Sequence, residues 1–505
     1  MDVSDEIDYN GPTRLNKRKL VAVFILLVAN LLNYMDRFTI AGVLTELQAY
    51  FQIVGDDSSA GLLQTIFIVF YMLFSPLFGY LGDRYNRKII LSSGISFWIM
   101  AVFVSTLLSR SQFYLFMFFR GIVGIGEASY STVAPSIIAD LFRGSSRSVA
   151  LSVFYFAIPL GSGLGFVLGS NVSLWFGAWQ WGVRLTSVLG VVCLALIIFV
   201  LEEPARGEAD HAHVETSTFL GDIVYLSKIK TYVFSTIGFT SIVFLVGALS
   251  WWTPALMEHA WSLRHGTSEV EPGAKAQISS TFGMITCLAG FIGVVCGSTL
   301  AQVFVLKMWK NGYRLIAKSS KADPYVCSLG AFLAVPFIFS AIIMSSNYVF
   351  GTWVLIFFGV TCCCLNWAVN MDMLMSRLTH VFSFQYIVVP QCRSTATAVQ
   401  TLISHLFGDA TSPYLVGLIS DSIRGKDFSV VGRFFALQDA LYFPVFLLVA
   451  AGGFYLTASF TVEEDKRAAF EAMHASDFEP IIIVADESGT SQVLDGVEQS
   501  LLSTS

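Results

Sequence analysis

The amino-acid sequence predicts an all-α membrane protein with twelve transmembrane helices. Three observations support this prediction: the composition, the number of long apolar runs, and the side on which Lys and Arg accumulate. Of the 505 residues, 55% are hydrophobic and only 13% are charged. Soluble domains carry roughly 25% charged residues. This chain has too few charges to cover itself in water, so lipid must be its main solvent.

Twelve apolar runs are long enough to be transmembrane helices. A helix needs about 20 apolar residues to cross roughly 30 Å of hydrocarbon. A polar stretch after the sixth run divides the set into six and six. The run at 391–418 is the least apolar. The predicted spans lie near 20–44, 61–82, 88–108, 112–139, 147–171, 181–201, 231–257, 278–306, 325–345, 350–376, 391–418 and 434–460.

The distribution of basic residues predicts the orientation. Most of the 30 Lys and Arg residues fall on the side that holds both ends of the chain, and such residues mark the cytosolic side. We therefore expect both termini to be cytosolic. The predicted segments are an N-terminal tail at 1–19, a six-helix bundle at 20–201, a cytosolic linker at 202–230, a second six-helix bundle at 231–460 and a C-terminal tail at 461–505.

Several function classes are disfavoured. The net charge of -6 gives no basic face for a nucleic acid. The eight Cys residues form no paired set in an outer loop, and adjacent helical residues such as Cys362, Cys363 and Cys364 point about 100° apart. We therefore expect no disulfide framework, metal or cofactor. Catalytic triads and phosphate-binding Gly loops are also missing from the sequence, so we do not expect an enzyme or an ATP-driven pump.

Five charged residues fall inside the predicted spans of the first half. Asp36 and Arg37 lie in span 1, Arg120 and Glu127 in span 4, and Arg184 just inside span 6. A charge at membrane depth costs a few kcal/mol or more, so each invites a functional hypothesis. Neighbours on a helix cannot pair with each other, and span 4 offers one partner of each sign. A water-filled cavity explains this set; a buried ion network that fixes helix register is the alternative.

The second half carries fewer charges at membrane depth. His405 and Asp409 are spaced i,i+4 in span 11, which places them on one helix face. Asn366 and Asn370 repeat this spacing in span 10. His titrates near physiological pH, and Glu127 is a carboxylate at membrane depth. We regard His405 and Glu127 as candidate proton carriers, although a lone His can also be a packing residue.

Three motifs resemble those of the major facilitator superfamily. Residues 79–88 (GYLGDRYNRK) resemble its cytosolic loop between helices 2 and 3, with Asn86 in place of the usual Gly. Residues 120–126 (RGIVGIG) resemble its helix 4 motif, and residues 159–165 (PLGSGLG) its helix 5 motif. The proline and glycines of residues 159–165 also predict a bend and close helix packing in span 5. The resemblance implies the major facilitator fold. It also implies a cytosolic gate motif formed by Gly79, Asp83, Arg84 and Arg87.

More specific strings are similar to the Spinster lipid transporters. They include residues 33–42 (NYMDRFTIAG), 126–130 (GEASY) and 405–414 (HLFGDATSPY). The resemblance covers roughly residues 14–460. It implies alternating-access transport of lysophospholipids or sphingolipids, with a lipid substrate, protons as coupling ions and a monomeric carrier. The residues that it implies for substrate binding or proton coupling are Asp36, Arg37, Arg120, Glu127, Arg184, His405 and Asp409.

The membrane and the substrate remain open at this stage. We expect a carrier of the lysosomal or late endosomal membrane, driven by the acidic lumen. The alternatives are a plasma-membrane exporter of sphingosine-1-phosphate, a carrier of small organic anions or sugars, and a membrane receptor or scaffold that transports nothing. Residues 477–482 (DFEPII) only approximate a dileucine-type sorting motif.

Overall fold

The computed structural model describes residues 17–142, 144–203, 219–309, 321–375, 387–389, 392–474, 484–485 and 491–492. The sorting-like motif at 477–482 lies outside the described residues. In the first half the helices are α1 (Lys17–Gly42), α2 (Leu44–Tyr50), α3 (Asp57–Arg84), α4 (Arg87–Ser105), α5 (Phe113–Leu141), α6 (Gly144–Phe176) and α7 (Trp179–Phe199).

A short helix, α8 (Phe219–Lys228), precedes the second half. In the second half, a π-helical segment, His405–Asp409, joins the helices Arg393–Ser404 and Thr411–Arg424 into one run. The elements after α8 are α9 (Lys230–His265), α10 (Pro272–Trp309), α11 (Ala322–Met344), α12 (Val349–Met375), α13 (Arg393–Ser404), α14 (Thr411–Arg424), α15 (Val430–Ala440), α16 (Tyr442–His474), and a two-residue antiparallel ladder of β1 (Val484–Ala485) with β2 (Ser491–Gln492).

Ten helices in the described part of the chain are long and apolar enough to cross a membrane. The other two predicted spans lie on α5 and on the α13–α14 run. Helix α5 carries Arg120, Glu127 and Asp140, and the π-helical segment divides the α13–α14 run. The last helix extends to His474, beyond the predicted end at 460. The count of twelve, the five segments and the cytosolic termini stay predictions.

Each half is packed mainly within itself, and two helix pairs make most of the contact between the halves. In the first half α1 packs against α6 and α7, and α5 packs against α3 and α4. In the second half α16 packs against α9 and α11, and α12 packs against α10 and α11. Smaller contacts join α1 to α9 and α3 to the π-helical segment, and the two main pairs are α6 with α10 and α3 with α14. Relative movement of the halves must therefore change these two contacts.

Glycines allow the close helix contacts that the 159–165 motif predicts. A Cβ on Gly163 would lie 2.6 Å from the carbonyl oxygen of Gly283, and a Cβ on Gly283 would meet Gly163 in the same way. Gly165 meets the carbonyl oxygen of Met35 on α1. No side chain fits at such distances, so the backbones themselves form the contact. The predicted close packing of span 5 is confirmed.

A charged cluster closes one end of the α3–α14 contact. The Asp421 carboxylate accepts the backbone N–H groups of Asp57 (3.0 Å) and Ser58 (2.8 Å) at the start of α3. Arg424 donates to Asp421 at 2.8 Å and to the carbonyl oxygen of Gly55. We call this end of the molecule the sealed end, and the opposite end, which holds Arg84 and Arg87, the motif end. The predicted orientation places the sealed end away from the cytosol.

Candidate functional site

Asp36 is the centre of a buried contact between three helices of the first half. Its Oδ2 atom accepts from Arg120 Nη1 on α5 at 3.1 Å. Its Oδ1 atom accepts from the Thr186 hydroxyl on α7 at 2.8 Å. The side chains of Asp36 and Arg120 are 1% and 2% exposed, so this ion pair is sealed from solvent. A buried carboxylate needs such compensation because desolvation is costly.

Arg37 points away from Asp36 and joins the two halves of the chain. Its Nη2 atom lies 2.7 Å from Asp409 Oδ2 in the π-helical segment. The Nδ1 atom of His405 contacts the same carboxylate, at 3.0 Å from Oδ1 and 3.1 Å from Oδ2. With its amide oxygen facing Arg37, Gln64 on α3 accepts from Nη2 at 2.9 Å and from Nε at 2.8 Å. Helix α1, helix α3 and the π-helical segment thus meet at the guanidinium group of Arg37.

The partners of Asp36 and Arg37 agree only in part with the sequence prediction. Span 4 supplies Arg120 as the partner of Asp36, as expected. The partner of Arg37 is Asp409 in the second half, however, and not Glu127. The sequence could not indicate this pairing because the two residues are 372 positions apart.

One aromatic ring lies next to both guanidinium groups. The guanidinium carbons of Arg37 and Arg120 lie 5.4 Å and 5.2 Å from the centre of the Phe67 ring. The electron-rich face of an aromatic ring attracts a cation, and the attraction is stronger away from water. Phe67 is 1% exposed and therefore holds the two ion pairs side by side in an apolar surrounding.

Glu127 lines a small cavity between α1, α4, α5 and α7. The side chain is buried, and Asn33, Trp98 and Tyr130 line the same cavity. Arg120 and Glu127 both lie at buried positions of α5. Asn33 and Glu127 give this cavity polar groups inside the membrane region, which a sealed apolar core would lack.

Arg184 lies in a separate contact. Its Nε atom donates to the Thr106 hydroxyl at 2.9 Å, and its Nη2 atom donates to the Thr106 carbonyl oxygen at 3.3 Å. Its guanidinium carbon also lies 4.9 Å from the ring centre of Trp181. These contacts join the start of α7 to the end of α4. The structure does not bring Arg184 together with Arg37 or Asp409.

The predicted gate motif lies at the motif end and contains one buried cation. Arg87 is 4% exposed; its Nη1 atom lies 2.6 Å from Asp140 Oδ2, and its Nε atom lies 3.6 Å from Glu203 Oε1. Arg84 is exposed and stacks on Tyr80, with 3.8 Å between the guanidinium carbon and the ring centre. Asp83 is exposed, and Gly79 has open space where a Cβ would be. Arg87 therefore ties three segments of the first half together.

The polar residues of span 10 belong to packing within the second half. Asn370 donates to Gln400 Oε1 at 2.8 Å and accepts from the Tyr455 hydroxyl at 2.9 Å. Asn366 is fully buried between α11 and α12. Among the residues that the structure describes, no group of three or more His, Cys, Asp or Glu is placed to hold a metal ion.

Sequence reasoning missed several polar residues of the site. Gln64 and Thr186 are single uncharged residues inside apolar runs, where a search for charges does not find them. The sealed-end residues Asp57, Asp421 and Arg424 lie near span ends and look like ordinary boundary charges. The signal that could have identified Gln64 and Thr186 was the presence of a polar residue in each of spans 2 and 6 at the membrane depth of Asp36.

The match to known proteins is broad. The model of the Major Facilitator Superfamily matches residues 26–408. Protein spinster homolog 1 of Xenopus laevis is 42% identical over 459 residues, covering 90% of this chain and 83% of the relative. The human protein of the same name is 41% identical, again covering 90% of this chain and 83% of the relative. The chain belongs to the Spinster family.

Other relatives and solved structures agree with this assignment. A protein of Xenopus tropicalis named sphingosine-1-phosphate transporter SPNS2 is 41% identical and covers 90% of this Spinster chain and 84% of its own. The crystal structure of a bacterial homologue of the human lysosomal transporter Spinster, inward-facing and unoccupied, aligns with a TM-score of 0.71 at 18% identity. It covers 90% of this chain and 99% of the homologue, and it shows the fold.

Membership of the family establishes the general activity. The chain is a multi-pass transporter of the major facilitator superfamily and not an enzyme. The ion pairs of Asp36 and Arg37 therefore lie inside a carrier whose two halves meet at Arg37 and Asp409.

Proposed function

We propose that this Spinster protein is a secondary active carrier of lysophospholipids or sphingolipids that works by alternating access and is linked to protons. The observation that carries the proposal is the ion pair of Arg37 with Asp409, which His405 shares. It joins α1 to the second half of the chain, so a change in this pair and a movement between the halves are coupled.

The charge of the site suits a lipid head group. Two guanidinium groups, of Arg37 and Arg120, lie next to one ring, and each has one carboxylate partner. A phosphate group can replace Asp409 as the partner of Arg37, because guanidinium binds phosphate and carboxylate with the same geometry. The relative that is named a sphingosine-1-phosphate transporter supports a phosphate-bearing lipid as cargo.

His405 gives the pair a response to protons. A neutral imidazole with its hydrogen on Nδ1 donates to Asp409 and leaves the carboxylate fully available to Arg37. Protonation makes His405 a cation that competes with Arg37 for the same carboxylate. We therefore infer that a low pH on the side to which the site is open weakens the ion pair of Arg37 with Asp409. Arg37 then binds an anionic head group more readily. Glu127, in the adjoining cavity, is the second proposed proton carrier.

The membrane is part of the proposal. We favour the lysosome or late endosome, whose acidic lumen supplies the proton gradient, and a monomeric carrier. The plasma-membrane exporter of sphingosine-1-phosphate is the second candidate, which the name of one relative favours. A small organic anion or sugar carrier is the third, because one structural neighbour is a D-xylose-proton symporter.

Uptake into proteoliposomes tests the proposal. The purified protein is reconstituted, and uptake of labelled lysophosphatidylcholine is followed with and without an imposed pH gradient. Uptake that the gradient stimulates supports the proton-linked lysolipid carrier. Uptake without stimulation favours a facilitated exporter, with sphingosine-1-phosphate as the next substrate. Absence of uptake of both lipids would overturn the lipid assignment and favour the small-anion carrier.

A further inference from the structure

One face of α3 packs against α14 near the sealed end. Ser58 donates its N–H to Asp421, and the Thr65 hydroxyl donates to the carbonyl oxygen of Ala410. Between them, Gly61 brings the backbone of α3 directly against Pro413. At 3.6 residues per turn, positions 58, 61 and 65 share one side of the helix. This side is the contact face of α3.

The contact face of α3 continues toward the motif end as an exposed apolar strip. Val69, Leu73 and Pro76 fall within about 60° of Ser58 around the helix axis. Val69 is 37% exposed and Leu73 is 69% exposed, and Pro76 is exposed too. This face of α3 is thus covered by α14 from Ser58 to Thr65 and is exposed from Val69 to Pro76.

The facing helix shows the same change at the π-helical segment. A π-turn takes one residue more than an α-turn. Leu402 therefore lies about two turns before Ala410 on the same side of the α13–α14 run. Leu402 is 39% exposed, whereas Ala410 is fully buried. We use the name seam for the two exposed surfaces that continue the α3–α14 contact toward the motif end. They are formed by Val69, Leu73 and Pro76 on α3 and by Leu402 on α13.

The second contact between the halves does not open in this way. Helix α6 meets α10 through Asn171, which donates to the Ser280 hydroxyl at 2.7 Å. The contact continues to Phe156 and Phe291, whose ring centres lie 5.5 Å apart. Residues 156–171 span roughly 22 Å of helix, against roughly 11 Å for residues 58–65 of α3. The opening between the halves is therefore asymmetric.

The charged site lies at the inner end of the seam. The side chains of Asp409 and His405 remain 13% and 24% exposed, unlike those of Asp36 and Arg120. Thr65 and Gln64 place the start of the strip beside the Arg37 and Asp409 pair. A molecule with one polar end and one apolar tail fits a charged site that continues into an apolar strip. A wholly polar solute would gain nothing from contact with the strip.

We propose that the seam holds the acyl chain of a single-chain lipid while the polar head contacts Arg37, Asp409 and His405. The lipid enters sideways from the bilayer between α3 and α13, and its chain stays in contact with the membrane. This inference rests on the proposed function, because it requires a lipid cargo. It assigns the discrimination between long and short chains to Val69, Leu73 and Leu402.

Two matched variants test the seam. Leu73→Trp fills it, whereas Met100→Trp places the same bulk on α4 at a residue that is also strongly exposed (62%). Uptake of long-chain and of hexanoyl lysophosphatidylcholine is measured for both variants and the wild type. We expect Leu73→Trp to lower long-chain uptake at least fivefold, with hexanoyl uptake within twofold of the wild type. Equal long-chain uptake by the two variants would overturn the proposal.

Photo-crosslinking of the wild type gives a readout without any substitution. A lysophosphatidylcholine with a diazirine at the end of its chain is bound, irradiated and mapped by peptide analysis, with excess unlabelled lipid as the control. We expect competable labelling within residues 69–76 and 402–407. Competable labelling confined to α6 and α10 would refute the seam but not the lipid cargo. A wild type that takes up neither lipid would overturn the proposed function, and with it this inference.

Discussion

Arg37 and Asp409 form an ion pair of 2.7 Å that connects α1 with the π-helical segment of the second half. The pair is nearly buried, with side-chain exposures of 6% and 13%. Removal of one partner leaves the charge of the other unpaired at membrane depth, which costs several kcal/mol. A carrier that changes its open side must exchange this contact for another. The ion pair of Arg37 with Asp409 therefore couples the conformation of the protein to the occupation of its substrate site.

Removing one partner of this pair should be worse for stability than removing both. Asp409→Asn leaves Arg37 buried and unpaired, so we expect a loss of about 3–5 kcal/mol in the free energy of unfolding. The double variant Arg37→Gln, Asp409→Asn should recover most of that loss and still not transport. Thermal melting in detergent and lipid uptake measure the two effects. A double variant less stable than Asp409→Asn would contradict the pairing.

Glu127→Gln should remove the response to pH while the fold remains intact. The amide has the same shape as the carboxylate and cannot release a proton at physiological pH. We expect uptake that an imposed pH gradient no longer stimulates, with an unchanged melting temperature. Glu127→Asp, which keeps the carboxylate, is the control and should retain part of the stimulation. Full stimulation in Glu127→Gln would exclude Glu127 as a proton carrier.

Asp421→Ala should loosen the sealed end. The variant removes a carboxylate that accepts two backbone N–H groups of α3, and hydrogen bonds to charged groups contribute about 1.5–3 kcal/mol each. We expect hydrogen exchange of residues 57–65 to rise about tenfold or more. Asp427→Ala, in the exposed loop after Arg424, is the control. Equal exchange in the two variants would show that Asp421 does not hold α3 closed.

Gly163→Ala should force α6 and α10 apart. The new Cβ would lie 2.6 Å from the carbonyl oxygen of Gly283, and overpacking of this kind costs about 1–3 kcal/mol. Gly453→Ala is the matched control, because open space surrounds that position in α16. We expect the melting temperature to fall for Gly163→Ala and to stay or rise for Gly453→Ala. The opposite order would contradict the observed helix contact.

The two arginines of the gate motif should differ in effect. Arg87→Ala leaves Asp140 and Glu203 without their buried cation, so a loss of about 3–5 kcal/mol is expected. Arg84→Ala removes an exposed cation above Tyr80, which contributes about 0.5–1 kcal/mol. Thermal unfolding of both variants measures the difference. Similar losses would show that the burial of Arg87 has no energetic consequence.

The sequence alone determined the class, the family and most of the charged site. Apolar runs without charges predict membrane helices because lipid excludes unpaired charges, and the exceptions therefore pointed to Asp36, Arg37, Arg120 and Glu127. The i,i+4 spacing of His405 and Asp409 predicted their contact, because helix geometry is a local property. The glycines of residues 159–165 likewise predicted a close contact without naming its partner.

Only the tertiary structure decided which charges pair and which do not. Arg37 contacts Asp409 rather than Glu127 because α3 and α14 bring the two halves together at that depth. Arg184 is separated from the site because its side chain contacts Thr106 at the end of α4, whereas Thr186, two residues later on α7, contacts Asp36. The π-helical segment and the seam follow from packing between distant segments. Local sequence patterns carry no information about such contacts, because the contacts depend on how whole helices cross.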